Sequence, residues 1–187
     1  MRPPDWLSRA AAGWEGTQPT AAIADHGRAG RLLTALLERG GEQSKADGES
    51  ALLAALASDL VPDEARIIAA LAVRDWSPLV HVEARRPDDV HLGLRNASLI
   101  GRQAGVALVR RTPLYVDRLM AAGLVVATPA RDDAAEDYEV LLADPDVLDA
   151  IRAAGRGPLG ARVVRQGLAL SEIGAELWSC RRSESTA

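Results

Sequence analysis

Five residues between positions 110 and 118 carry the chemistry of a nucleic-acid contact. Arg110 and Arg111 precede a helix start, and Thr112, Tyr115 and Arg118 follow at helical spacing. Guanidinium forks suit phosphate oxygens and guanine edges, and hydroxyls add backbone contacts. The flanking loop, Arg131-Asp132-Asp133-Ala134-Ala135-Glu136-Asp137, has the opposite character. Its carboxylates would be repelled by phosphate. A second cluster joins His81 and Glu83 to Asp88, Asp89 and His91. Imidazole and carboxylate suit zinc or manganese. The spacing matches no zinc pattern, so no metal is expected, and a metal-dependent enzyme around His81 is the weakest functional reading. Cys180 sits beside Arg181 and Arg182, which favour a thiolate, but no histidine is near it in sequence. It reads as a half-buried helix cysteine. Neither phosphate-binding glycine motif occurs, and no serine has a GxSxG context. No catalytic residue and no cofactor are expected.

The elements that position these residues follow from local signals. Thr112 is an N-cap candidate, Pro113 fits the first helical position, and Gly123 fits the left-handed residue that ends a helix. Val116, Leu119 and Met120 share one face between them. Leu124-Val125-Val126-Ala127 then reads as a strand, to be paired with a second strand, Tyr138-Glu139-Val140-Leu141-Leu142. Helix, strand, loop and strand in this order are the second half of a winged helix. Pro62 opens an earlier helix, with Asp63 and Glu64 at its positive end. Leu79 to Ala84 alternates as a half-buried strand, with His81 and Glu83 on the outer face. Asn96 is expected to cap a helix from Ala97 to about Ala104. The connection from Gly105 to Thr112 exceeds the ~3–4-residue turn of a compact helix-turn-helix. Asp144-Pro145 and Ser171 open two further helices around a strand over 162–170.

Upstream, two leucine-striped helices form a hairpin. Leu32, Leu33, Leu36 and Leu37 make one stripe, and Leu52, Leu53, Leu56 and Leu60 the other. The stripes are expected to pack on the following domain, with a homodimer through these helices as the alternative. The domain reading is therefore a flexible N-terminal segment at 1–27, a helical hairpin at 28–60, a winged-helix-like domain at 61–182 and a frayed tail at 183–187. The fold class is α+β, mainly α, with a small antiparallel sheet.

Composition agrees with an ordinary globular chain. Of 187 residues, 48% are hydrophobic and 26% charged, and the absence of Phe leaves the core to aliphatic side chains. Net charge is −4, which disfavours tight non-specific binding to nucleic acid. From Arg152 onward there are 6 Arg against 3 Glu, or +3, so the rest of the chain carries −7. One cysteine excludes an intramolecular disulfide. No apolar run reaches the ~18 residues of a membrane span, and the N-terminus lacks a signal-peptide core. A cytoplasmic protein is expected.

Several segments together resemble one family. They are Val61-Pro62-Asp63-Glu64-Ala65-Arg66-Ile67, Asn96-Ala97-Ser98-Leu99-Ile100-Gly101-Arg102, Tyr115-Val116-Asp117-Arg118-Leu119 with Gly123-Leu124-Val125, and Leu170-Ser171-Glu172-Ile173-Gly174 with Leu177-Trp178. They resemble the abortive infection alpha (Abi-alpha) family over about residues 30–182. The resemblance implies a bacterial protein associated with phage resistance. It brings no catalytic or binding residues with it. The expected function is a non-enzymatic interaction protein acting through a protein partner or self-association. The alternative is a winged-helix DNA-binding transcriptional regulator using Arg110, Arg111, Thr112, Tyr115 and Arg118.

Overall fold

A computed structural model describes residues 20–84, 92–155 and 160–181. They fall into two units divided after Ala51. The first holds helix α1 (Thr20–Gly40) and the start of α2 (Lys45–Ser58). α1 begins well before the leucine stripe, and Gly41 N–H donates to the Leu37 carbonyl at 3.2 Å to close it. Ser44 and Asp47 cap α2 reciprocally, Asp47 N–H donating to the Ser44 hydroxyl at 3.2 Å and Ser44 N–H to the Asp47 carboxylate at 3.3 Å. That exchange satisfies two orphan amides and starts α2 at Lys45, ahead of the second leucine stripe. Leu32, Leu33, Leu36 and Leu37 are all more than half exposed.

The second unit is built on a four-stranded antiparallel sheet in the order β2-β1-β4-β3. The strands are β1 (Ser77–Ala84), β2 (Leu92–Ser98), β3 (Val125–Thr128) and β4 (Ala161–Leu170). Helices cover both faces. On one face α3 (Pro62–Arg74), α5 (Thr112–Ala121) and α8 (Glu172–Cys180) bury Ile67, Leu71, Leu119 and Leu124 against Leu79 and Leu168. Leu56 and Leu60 pack against this cluster. On the other face α6 (Ala135–Leu142) and α7 (Pro145–Ala154) bury Tyr138, Leu141 and Val147 against Val80 and Val82. Burial on both faces explains why β1 is buried without a break from Ser77 to Val80. The chain is α+β and mainly helical, as its sequence implies.

Three expected elements differ. Residues 138–142 are helical, so β3 pairs instead with β4, from Val125↔Leu170 to Thr128↔Gly167. Ala134, Tyr138 and Leu141 are buried while Val140 is 60% exposed, which is a 3.6-residue period that short alternation had disguised. Second, residues 92–98 form β2, leaving α4 only Ile100–Gln103. Asn96 does not cap a helix. It lies in a bulge, because Val80 pairs with Ala97 and Val82 with Leu94, leaving Arg95 and Asn96 opposite His81. Its φ of 54° is the left-handed region, which Asn tolerates better than most residues. Third, Thr112 is not an N-cap. It is helical itself, and its hydroxyl donates to the Val109 carbonyl at 2.6 Å. Gly123, at φ 74°, ends α5 as its position implies.

Candidate functional site

The first turn of α3 fixes the segment that was to contact nucleic acid. Asp63 and Glu64 were expected only to complement the helix dipole, yet both are buried. Asp63 accepts from the amides of Ala107 and Leu108 at 3.0 and 3.2 Å, from the Tyr115 hydroxyl at 3.2 Å and from Arg66 at 2.9 Å. One carboxylate thus ties down the long connection before α5. The Ala107 amide, opposed by burial and helped by Leu108, Tyr115 and Arg66, holds the Asp63 carboxyl below the usual range. Burial, followed by the hydrogen bond to Asp63 and then its charge, pushes the Tyr115 phenol up. Glu64, 1% exposed, accepts from Arg118 Nε at 2.6 Å and from Val61 N–H at 3.0 Å. Arg118 also donates to the Asp59 carbonyl at 3.1 Å.

Of the five candidate residues, Thr112, Tyr115 and Arg118 therefore spend their polar groups on the fold. Thr112 is 3% exposed and packs so closely on α4 that a Cβ at Gly101 would lie 1.8 Å from its Oγ1. Arg111 is exposed. Arg110 is exposed and pairs with Asp146 at 3.1 Å.

Arg110 stands on the rim of a groove of about 330 Å³ between β2, the turn before α5, and α7. Leu94, Leu99, Val109, Pro113 and Val147 give it an apolar lining. Two ion pairs flank it, Arg110 with Asp146 and Arg102 with Asp144. Asp144 is also the N-cap of α7, accepting from Asp146 N–H at 2.9 Å, so the rim is anchored to a helix end. The rim charges neutralise each other. An apolar slot with paired charges suits an apolar side chain flanked by polar groups better than it suits a polyanion.

His81 is half-buried beneath the Asn96 bulge rather than on an outer face. Asn96 N–H donates to His81 Nδ1 at 3.0 Å, so the proton sits on Nε2, which donates to Gln166 Oε1 at 2.7 Å. The Asn96 side-chain amide donates to Asp117. Both imidazole nitrogens are engaged, and Glu83 faces Arg162 at 3.4 Å. Asp88, Asp89 and His91 lie outside the described residues. Among the described residues no three His, Cys, Asp or Glu side chains are grouped to hold a metal ion. Cys180 is exposed. None of the described helices is long and apolar enough to cross a membrane.

A family model described as abortive infection alpha matches residues 24–180. The chain belongs to the abortive infection alpha family. A solved structure of an uncharacterized protein from the hydrocarbon-degrading marine bacterium Alcanivorax borkumensis SK2 is similar, at 27% identity and a TM-score of 0.58. The match covers 75% of this chain and 99% of that one. No curated protein matches significantly. In this abortive infection alpha chain the segments that carry the resemblance build joints. Asp63 and Glu64 anchor α5, Asn96 forms the bulge, and Gly101 admits Thr112. Gly174 sits against the Leu124 carbonyl, where a Cβ would come within 2.0 Å. Sequence reasoning missed the groove because its walls come from separate segments spread between Leu94 and Val147, brought together only by packing. A weak signal existed in Asp144 and Asp146, two acids at the start of a capped helix.

Proposed function

We propose that this abortive infection alpha protein is a non-enzymatic interaction module in phage resistance. It binds a protein partner whose apolar side chain enters the groove beside Val109, Pro113 and Val147. The observation that carries this reading is the pairing of Arg102 and Arg110 with Asp144 and Asp146 around an apolar lining. The engaged nitrogens of His81 support a structural rather than a catalytic role for that residue. The DNA-binding winged-helix alternative loses its wing, because residues 138–142 are helical. Arg110 is paired with Asp146, Thr112, Tyr115 and Arg118 are tied to Val109, Asp63 and Glu64, and Arg111 is left exposed.

The test is Val109→Asp, at a side chain already 38% exposed, where a surface substitution shifts stability by about 0.5 kcal/mol or less. Phage plating efficiency is measured on a bacterial host carrying the gene. Protection should be lost while the circular-dichroism melt is unchanged. Wild-type protection by a folded Val109→Asp protein would refute the groove. Self-association through α1 is separable by sedimentation, as a dimer that Leu36→Asp returns to a folded monomer.

A further inference from the structure

We propose that the outer face of α6, with the Trp76 pocket at its start, binds a basic, arginine-containing segment of a partner protein. The proposal rests on the interaction reading above and adds the partner's chemistry. Between Arg131 and Asp149 the chain carries eight carboxylates and one cation, Arg131 itself. Asp144, Asp146 and Asp149 are paired to arginines, whereas Asp132, Glu136, Asp137 and Glu139 stand exposed along the approach to α6 and on it.

Charge density alone would not define a site, but the Trp76 pocket does. It is an open surface depression of about 470 Å³, lined by Val73, Trp76, Arg131, Asp133 and Asp137 among others. The guanidinium of Arg131 lies over the Trp76 ring, 5.4 Å from its centroid. Asp133 grips the same guanidinium in two bonds of 3.0 and 2.7 Å. An aromatic face with a carboxylate beside it is an arrangement that selects a cation, and arginine above all. The chain fills this site with its own residue. The ring is a fixed platform: the Tyr138 ring meets it edge-on at 5.9 Å, and Gly167 lies so close that a Cβ would fall 1.9 Å from Trp76 Nε1.

Arg131 and Asp133 are 51% and 67% exposed, and exposed ion pairs add little stability. A partner guanidinium can therefore exchange with Arg131 at small cost. Asp137 and the neighbouring carboxylates then engage flanking bases, and Val73, 80% exposed, offers apolar contact beside the ring. Nucleic acid is repelled by the same carboxylates.

Fluorescein-labelled oligoarginine, oligolysine and oligoglutamate, titrated into the full chain and followed by anisotropy, test the proposal. Oligoarginine should bind best and oligoglutamate not at all. Asp133→Asn with Asp137→Asn should weaken oligoarginine about tenfold, two exposed pairs being lost together. Arg131→Ala removes the internal occupant and should tighten binding more than Arg74→Ala, which removes equal charge from the same pocket wall. Equal effects of Arg131→Ala and Arg74→Ala, or no effect of the asparagine pair, would overturn the site. A larger sedimentation coefficient without peptide, abolished by the asparagine pair, would assign the face to a second copy and overturn the proposal. The phage assay separates the two levels of inference. Protection kept by the asparagine pair but lost in Val109→Asp overturns this site and leaves the interaction reading standing. Protection kept in both overturns both.

Discussion

Replacing Gly174 with alanine sets two effects against each other in the first turn of α8. Helix propensity favours alanine by about 1 kcal/mol. Packing opposes it, because the new Cβ would lie 2.0 Å from the Leu124 carbonyl oxygen and 3.0 Å from its carbon. Both atoms are backbone, so no side chain can swing aside. The helix must instead move off the α5–β3 turn. Two bonds span that joint: Ser171 N–H donates to Leu124 O at 3.1 Å, and the Ser171 hydroxyl to Gly123 O at 2.6 Å. Overpacking costs about 1–3 kcal/mol, and each bond lost about 1 kcal/mol more. The balance is a loss of about 2–4 kcal/mol, or about 5–15 °C in melting temperature for a chain of this size. Gly123→Ala is the control. Its φ is 74° but no atom lies within 4 Å of the added Cβ, so only the left-handed strain of about 1–2 kcal/mol remains. Thermal unfolding followed by circular dichroism measures both. A Gly174→Ala melt at or above wild type would refute the rigid seat of α8.

Two further outcomes follow from the anchors of α5. Because the Asp63 carboxyl is depressed in the folded protein, its stabilisation is present above the unfolded value of about 3.9 and lost as pH falls through the folded value. Asp63→Asn should lower the melting temperature at neutral pH and flatten the acid side of the stability curve, and parallel acid limbs would count against the anchor. Arg118→Ala should lower the melting temperature by stranding the buried Glu64 carboxylate, whereas Arg111→Ala should leave it unchanged. Duplex DNA should bind weakly at physiological salt, each of Arg110→Ala and Arg111→Ala reducing the log–log salt slope by about 1. Submicromolar affinity for a defined operator would revive the regulator reading.

Local chemistry alone determined several helices. Pro62 with its two acids, Pro113 with Gly123, Asp144 with Pro145, and Ser171 mark starts or stops because prolines, caps and left-handed glycines act within one turn. The family was legible for the same reason, since its segments are short and contiguous. Tertiary structure decided the rest. Tyr138 to Leu142 satisfies strand alternation and a helical stripe alike, and only burial of Tyr138 and Leu141 on β1 selects the helix. Asn96 looked like a cap because its preference for the left-handed region serves a bulge equally well, and the His81 ring on a neighbouring strand settles which. Tyr115 and Arg118 have the side chains of a contact surface. Their partners, Asp63 and Glu64, lie more than fifty residues away in sequence, and hydrogen-bond partners at that distance are set by packing, which no local pattern encodes.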